Sequence, residues 1–163
     1  MILHWNGTAW KRVAIPNPGG VLYAVDASSP THVWAVGEYT RGTVQKTLVV
    51  RWNGTKWKHV ASPNPAGTTN RTLNILDSVT AISRAKVWAV GYDASVTNSA
   101  RNTLIEHWNG TRWKHVASPN PAGTSTFDAN HLNAVATASA GSVWAVGSWA
   151  GTAGAGGLAI HRC

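Results

Sequence analysis

Val33-Trp34-Ala35-Val36-Gly37 is repeated letter for letter at residues 87–91 and again at 143–147. The copies lie 54 and 56 residues apart. Two further motifs keep the same cyclic order. Trp5-Asn6-Gly7-Thr8 returns at Trp52–Thr55 and Trp108–Thr111, and Pro16-Asn17-Pro18 returns at Pro63–Pro65 and Pro119–Pro121. From Trp52 to Thr68 and from Trp108 to Thr124 the match is almost unbroken, which marks recent duplication of one unit. A repeat of this period dominates every local reading, because each copy must be one supersecondary unit that buries its faces against its neighbours.

Each copy reads as four short strands. In the middle copy, strand A is expected at Leu76–Ile82, B at Lys86–Tyr92, C at Thr103–Trp108 and D at Arg112–Ala117. Val, Thr and Trp are frequent in these stretches and favour strands. Asn109-Gly110 between C and D is a hairpin signal of the type I′ kind, with positive φ at both central residues. Ser118-Pro119-Asn120-Pro121 removes two ladder donors and stops the sheet.

The expected fold is therefore all-β, and four strands per unit of about 50 residues is the blade of a β-propeller. Residues 1–20 supply strands C and D of a split blade, 21–66 and 67–122 are whole blades, and 123–163 supply A, B and a short C at Leu158–Arg162. About three blades per chain is fewer than the usual four to eight. The expectation is either a homodimer closing a six-bladed ring through complementary half-blades, or a fragment of a larger propeller. Arg162-Cys163 stand where the repeat calls for Trp-Asn, which reads as truncation.

The motifs "VWAVG", "TLIEHWNGTRWKHVASPNPAG" and "LNAVATASAGSVWAVG" resemble the kelch-like or BNR-like propeller repeats of large exported bacterial proteins, over essentially the whole chain. That resemblance implies an extracellular or cell-surface location. Only Met1–Leu3 is apolar at the start, so the sequence itself contains no signal peptide.

The chain has 163 residues with ten Trp, one Phe and one Cys. A lone Cys163 makes no intrachain disulfide. Fourteen Lys and Arg against six Asp and Glu give a net charge of +8, which attracts anionic surface polymers. Much of it lies on strand D, at Lys11, Arg12, Lys56, Lys58, Arg112 and Lys114, where charge guards an open sheet edge. Nine Trp fall on three repeat positions. Packing between blades and stacking on sugar rings both suit them. Trp149 is expected beyond strand B, in a loop and exposed.

His4, His107 and His161 share a position that is Arg51 in the second copy, and His59 and His115 share one that is Arg12 in the first. Arginine does not replace a histidine ligand, so no metal and no cofactor are expected. The six acids fall at different repeat positions, and no nucleophile motif stands out. Asp93 and Asp128 are the pair that loops on one face would bring nearest. The loops joining D to A and B to C differ most between copies, and a rigid scaffold carries recognition on such loops. Candidate ligand-binding residues there are Arg71, Asp93, Arg101, Asp128, His131 and Trp149. Gly151–Gly157 is expected to be a flexible loop.

The leading functional expectation is a non-catalytic, lectin-like binding module that recognises glycans at a cell surface and associates with itself. The alternatives are a structural or assembly propeller without a small ligand, and a fragment of a sialidase-like or galactose-oxidase-like enzyme.

Overall fold

The computed structural model describes residues 1–16, 19–69, 71–95, 99–139 and 141–162. Asn17 and Pro18 of the first proline motif, Asn70, residues 96–98 of one B–C loop and Cys163 lie outside this set. The described residues form thirteen strands and no helix long and apolar enough to cross a membrane.

A hairpin of β1 (Ile2–Trp5) and β2 (Trp10–Val13) comes first. Unit 1 follows as β3 (Val21–Ser29), β4 (His32–Arg41), β5 (Val44–Trp52) and β6 (Trp57–His59), a four-stranded antiparallel sheet in that order. Unit 2 repeats it as β7 (Leu73–Ser83), β8 (Lys86–Ala94), β9 (Arg101–Trp108) and β10 (Trp113–His115). Unit 3 has β11 (Ala129–Ser139), β12 (Ser142–Gly151) and β13 (Gly154–Arg162). Units 2 and 3 join through the parallel partners Ala129 and Arg101. The first strands sit side by side, β3 against β7 and β7 against β11. The sheets do not close within the described residues.

The units stack through their faces. Trp34, Val36 and Val49 of unit 1 meet Leu76, Val79, Val87, Ala89, Leu104, Trp108 and Trp113 of unit 2. Trp88, Val90 and Ile105 of unit 2 meet Leu132, Val135, Val143 and Ala145 of unit 3. The hairpin lays Ile2, Val13 and Ile15 on Ala35, Leu48, Val50 and Trp57. Strand periodicity explains the scheme: in Val-Trp-Ala-Val-Gly, Trp and the second Val face the following unit, and the first Val and Ala face the preceding one. Each Trp pair at a junction adds edge and tilt contacts, with Trp113 lying 5.3 Å and Trp108 5.0 Å from Trp34.

The glycine that ends the repeated pentapeptide has a steric cause. Gly37, Gly91 and Gly147 lie opposite a β-bulge in the first strand, between Leu22 and Ala24, Leu76 and Ser78, and Leu132 and Ala134. A Cβ on any of them would collide with the carbonyl oxygen of Val21, Ile75 or His131. The bulge brings backbone against backbone, and only glycine leaves room.

The proline motif is a lock on the third strand. Thr47 donates its N–H to Asn64 Oδ1 at 3.0 Å, and its hydroxyl bonds Ser62 Oγ at 2.6 Å and Pro63 O at 3.0 Å. Thr103 repeats this with Asn120, Ser118 and Pro119. A second fastening follows. Asn74, fully buried, accepts from Ala66 N and donates to Gln45 O and Gly67 O. Asn130 does the same with Ala122, Arg101 and Gly123. Each asparagine thus ties its own first strand to the third strand and outgoing loop of the unit before it.

Several expectations about local structure are corrected. The Asn-Gly turns are four residues long, as in Asn6–Ala9, and among the described residues only the glycine of each pair has positive φ. The asparagine side chain makes the turn instead: Asn53 Oδ1 accepts from Thr55 N, Thr55 Oγ1 and Lys56 N at 2.9–3.1 Å, an Asx turn repeated at Asn6 and Asn109. Gly151–Gly157 is not a loop, because β12 runs to Gly151 and β13 begins at Gly154. Strand pairing satisfies this small-residue backbone, and its low side-chain bulk misled the local reading. Strand A is longer than expected, and strand D is only Trp113–His115.

Candidate functional site

The bulges in the first strands also aim side chains. Tyr23 and Asp77 occupy the bulged positions of β3 and β7. One residue earlier along the fold's pairing, Glu38 stands opposite Val21, Tyr92 opposite Ile75, and Ser148 opposite His131. Because β3, β7 and β11 are neighbours, these differing residues of three units gather into one cluster.

His131 Nε2 lies 2.9 Å from Asp77 Oδ2, both partly exposed. The His131 ring meets Tyr92 edge-on at 4.6 Å. The Arg101 guanidinium lies over the Tyr92 ring, 5.1 Å from its centroid. Tyr23, half-exposed, lies near the Glu38 carboxylate. Glu38 is buried, and its Oε2 has no hydrogen-bond partner among the described residues.

Burial pushes the Tyr23 phenol above its ordinary value, and the nearby Glu38 and Asp77 carboxylates push it further. Burial also raises Tyr92; Arg101 opposes the shift, and Asp77 and Glu38 reinforce it. Both phenols therefore remain protonated donors near neutrality. The cluster offers two carboxylate acceptors, two phenol donors, an imidazole and a guanidinium, with aromatic faces between them. That set suits a neutral ligand rich in hydroxyl groups, which can donate to the carboxylates and lay its C–H face on a ring.

Of the six residues singled out in the sequence, the structure brings Arg101 and His131 into this cluster. Arg71 is exposed on the loop before β7, with φ at 51°. Asp93 is buried on the opposite face of β8 from Tyr92. Burial raises its carboxyl, an effect opposed by Asn102, whose Nδ2 lies 3.5 Å from Oδ1, and by His115. Asp128 is buried and closes its own loop, with Oδ2 accepting from Ser125 N at 2.9 Å. The two acids thus serve separate partners. Trp149 is neither in a loop nor fully exposed: it lies within β12, its ring against Gly156 across the β12–β13 ladder. An aromatic opposite glycine settles into the space the missing side chain leaves.

Tyr23, Glu38, Asp77 and Tyr92 escaped the sequence reading because it sought variation only in loops. The signal was present in the strands, where one aligned position reads Tyr23, Asp77, Asn133 and another reads Glu38, Tyr92, Ser148.

The repeated histidines have a packing role. His107 stacks on Trp88 at 4.2 Å and His161 on Trp144 at 4.3 Å. Arg51, at the same position, lies 5.2 Å over Trp34. Each is the cross-strand partner of its tryptophan. Burial lowers His107, helped by Lys86, Arg162 and Lys114. Among the described residues no three His, Cys, Asp or Glu side chains gather as a metal site.

No protein-family model and no curated protein sequence matches the chain.

Proposed function

We propose that the chain is part of a β-propeller that serves as a non-catalytic, lectin-like binding module for neutral glycans at a cell surface. The propeller reading is supported by first strands that neighbour one another, by sheets stacked face to face, and by short basic fourth strands, β6 and β10, at the outer margin. It agrees with the kelch-like or BNR-like character of the repeats. The observation that carries the ligand reading is the cluster of Tyr23, Glu38, Asp77, Tyr92, Arg101 and His131 from three units. Its two carboxylates favour hydroxyl donors over anions, so the net charge of +8 belongs to edge protection rather than to this site.

The test is a titration of the chain with a panel of neutral and acidic oligosaccharides, followed by NMR of the tyrosine and histidine side chains. Neutral sugars should shift Tyr23, Tyr92 and His131 at up to about 1 mM, an ordinary weak affinity near −4 kcal/mol. Tyr92→Ala should weaken binding about tenfold or more, the loss expected from removing a stacking ring. Shifts confined to other residues, or tight binding of acidic sugars alone, would refute this assignment.

A further inference from the structure

The two outermost sheet faces differ from the internal ones in a specific way. At the junction of units 1 and 2, Trp34 and Val36 are both 0% exposed beneath unit 2. At the junction of units 2 and 3, Trp88 and Val90 are 5% and 0% exposed beneath unit 3. Their third occurrence, Trp144 and Val146 on β12, is 45% and 46% exposed. At the other end Val25, which repeats the buried Val79 and Val135, is 66% exposed. It borders a groove of about 470 Å³ between the β1–β2 hairpin and β3–β5, whose apolar walls include Leu22, Val33 and Ala35. The chain therefore presents one uncovered knob and one uncovered socket of a junction that it makes twice internally.

A second pair of features fits the same scheme. At the first junction the fourth-strand Trp113 stands 5.3 Å from Trp34. At the second junction the corresponding place beside Trp88 is a groove of about 270 Å³ between units 2 and 3. Trp10 on β2 repeats Trp113 and is 65% exposed.

We propose that a second copy of this chain docks head to tail. Trp144 and Val146 of one copy pack on Leu22 and Val25 of the other, whose Trp10 enters the groove beside Trp88. The occupant is a copy because the complementary surfaces occur in this chain, at the repeat positions that already bury one another. A junction that reproduces the internal ones puts β1 where β13 lies, since Leu3-His4-Trp5 and Ile160-His161-Arg162 hold the same repeat positions. β13 therefore yields to β1. It is suited to yield: Gly154-Ala155-Gly156-Gly157-Leu158-Ala159 is small apart from one leucine, and β13 holds the core between units 2 and 3 through Leu158 and Ile160, with the Arg162 guanidinium 5.3 Å over Trp88. With one knob and one socket per chain, two copies that exchange both contacts close without leaving a face open. This inference does not rest on the glycan reading: Tyr23 of that cluster borders the groove, but the positions substituted below, Val25, Trp144, Ser148 and Gly157, lie outside the cluster.

Light scattering of the 163-residue chain across about 1–100 μM, a range that spans weak self-association, should give twice 17.3 kDa at the upper end. A monomer throughout overturns the proposal and assigns the two faces to another polypeptide segment. Trp144→Glu and Val25→Glu should each weaken self-association about 100-fold, as for a buried anchor, with strand circular dichroism unchanged, because both positions are exposed within one copy. Mixed together the two variants should form a 1:1 complex, since each retains the face the other has lost; no complex on mixing overturns the head-to-tail arrangement. Ser148 and Gly157 are cross-strand partners of β12 and β13, and a Cβ at Gly157 has open space. In a Cys163→Ser background, Ser148→Cys with Gly157→Cys should be monomeric when oxidised and should associate when reduced. Association unchanged by oxidation overturns the displacement of β13.

Discussion

Replacing Glu106 with valine should stabilise the protein. Glu106 is fully buried on β9, on the face shared with Leu104 and Trp108, and neither carboxyl oxygen has a hydrogen-bond partner among the described residues. The same repeat position is Val50 in unit 1, Ile160 in unit 3 and Leu3 in the hairpin. An apolar side chain is therefore already accepted there by the same backbone. Leaving a buried polar group unsatisfied costs about 1–3 kcal/mol, and replacing it by a packed apolar group of similar size recovers much of that. Glu106→Val should gain about 2 kcal/mol, a rise in Tm of about 4–8 °C for a chain of this length. Burial holds the carboxyl well above its ordinary 4.5. Between that ordinary value and the raised one, the folded state keeps a proton that the unfolded chain has released. The wild-type protein consequently loses stability as pH rises through this window, and the valine variant does not. Thermal unfolding of both proteins at about pH 5 and pH 8, values chosen to bracket a raised carboxyl, should show the gap widening at the higher pH. A variant less stable than wild type at both values, or a gap that stays constant, would refute the claim that Glu106 is buried unpaired.

Asn130→Ala removes three hydrogen bonds made by one buried side chain and should cost about 3 kcal/mol, read by chemical denaturation. Gly54→Ala should be more destabilising than Gly7→Ala. The two have φ of +96° and +99°, but a Cβ at Gly54 comes 2.9 Å from Thr31 Cγ2 and at Gly7 meets nothing within 4 Å; equal losses would show that φ alone sets the cost. His107 should titrate below the ordinary 6.5, first because burial disfavours its charged form. Its contribution to stability is present above 6.5 and lost as pH falls below it. Trp88→Leu should bring its NMR titration back toward 6.5 by opening the ring to water.

The all-β architecture and the strand order of units 1 and 2 were legible because the repeat aligns copies of each element and alternation along Val-Trp-Ala-Val-Gly fixes two buried faces. Junction packing by Trp was legible for the same reason. Element ends were not: β13 opens with Gly154–Gly157, Gly and Ala that carry no strand propensity of their own and are held by pairing with β12. The mechanism of the Asn-Gly turns was missed because a dipeptide signal does not reveal whether Asn acts through its φ or through its side-chain oxygen. Two of the six residues in the candidate cluster were read. His131 and Arg101 lie where strands meet the variable loops, whereas Tyr23 and Asp77 depend on a bulge that only three-dimensional pairing exposes.

The buried asparagine fastening has a consequence for how such a chain grows. Asn130 binds the third strand and the outgoing loop of the unit before it, and Asn74 makes the same grip one unit earlier. The motif that makes the grip and the loop that receives it both lie inside the repeating stretch of sequence. A gene segment copied in tandem therefore delivers each new module together with its own coupling, already matched to the module upstream. Lengthening the array requires no compensating substitution elsewhere, which fits the near-identity of Trp52–Thr68 and Trp108–Thr124. The first copy has Gly20 in place of the asparagine, so this side-chain grip is not among the features it passes on.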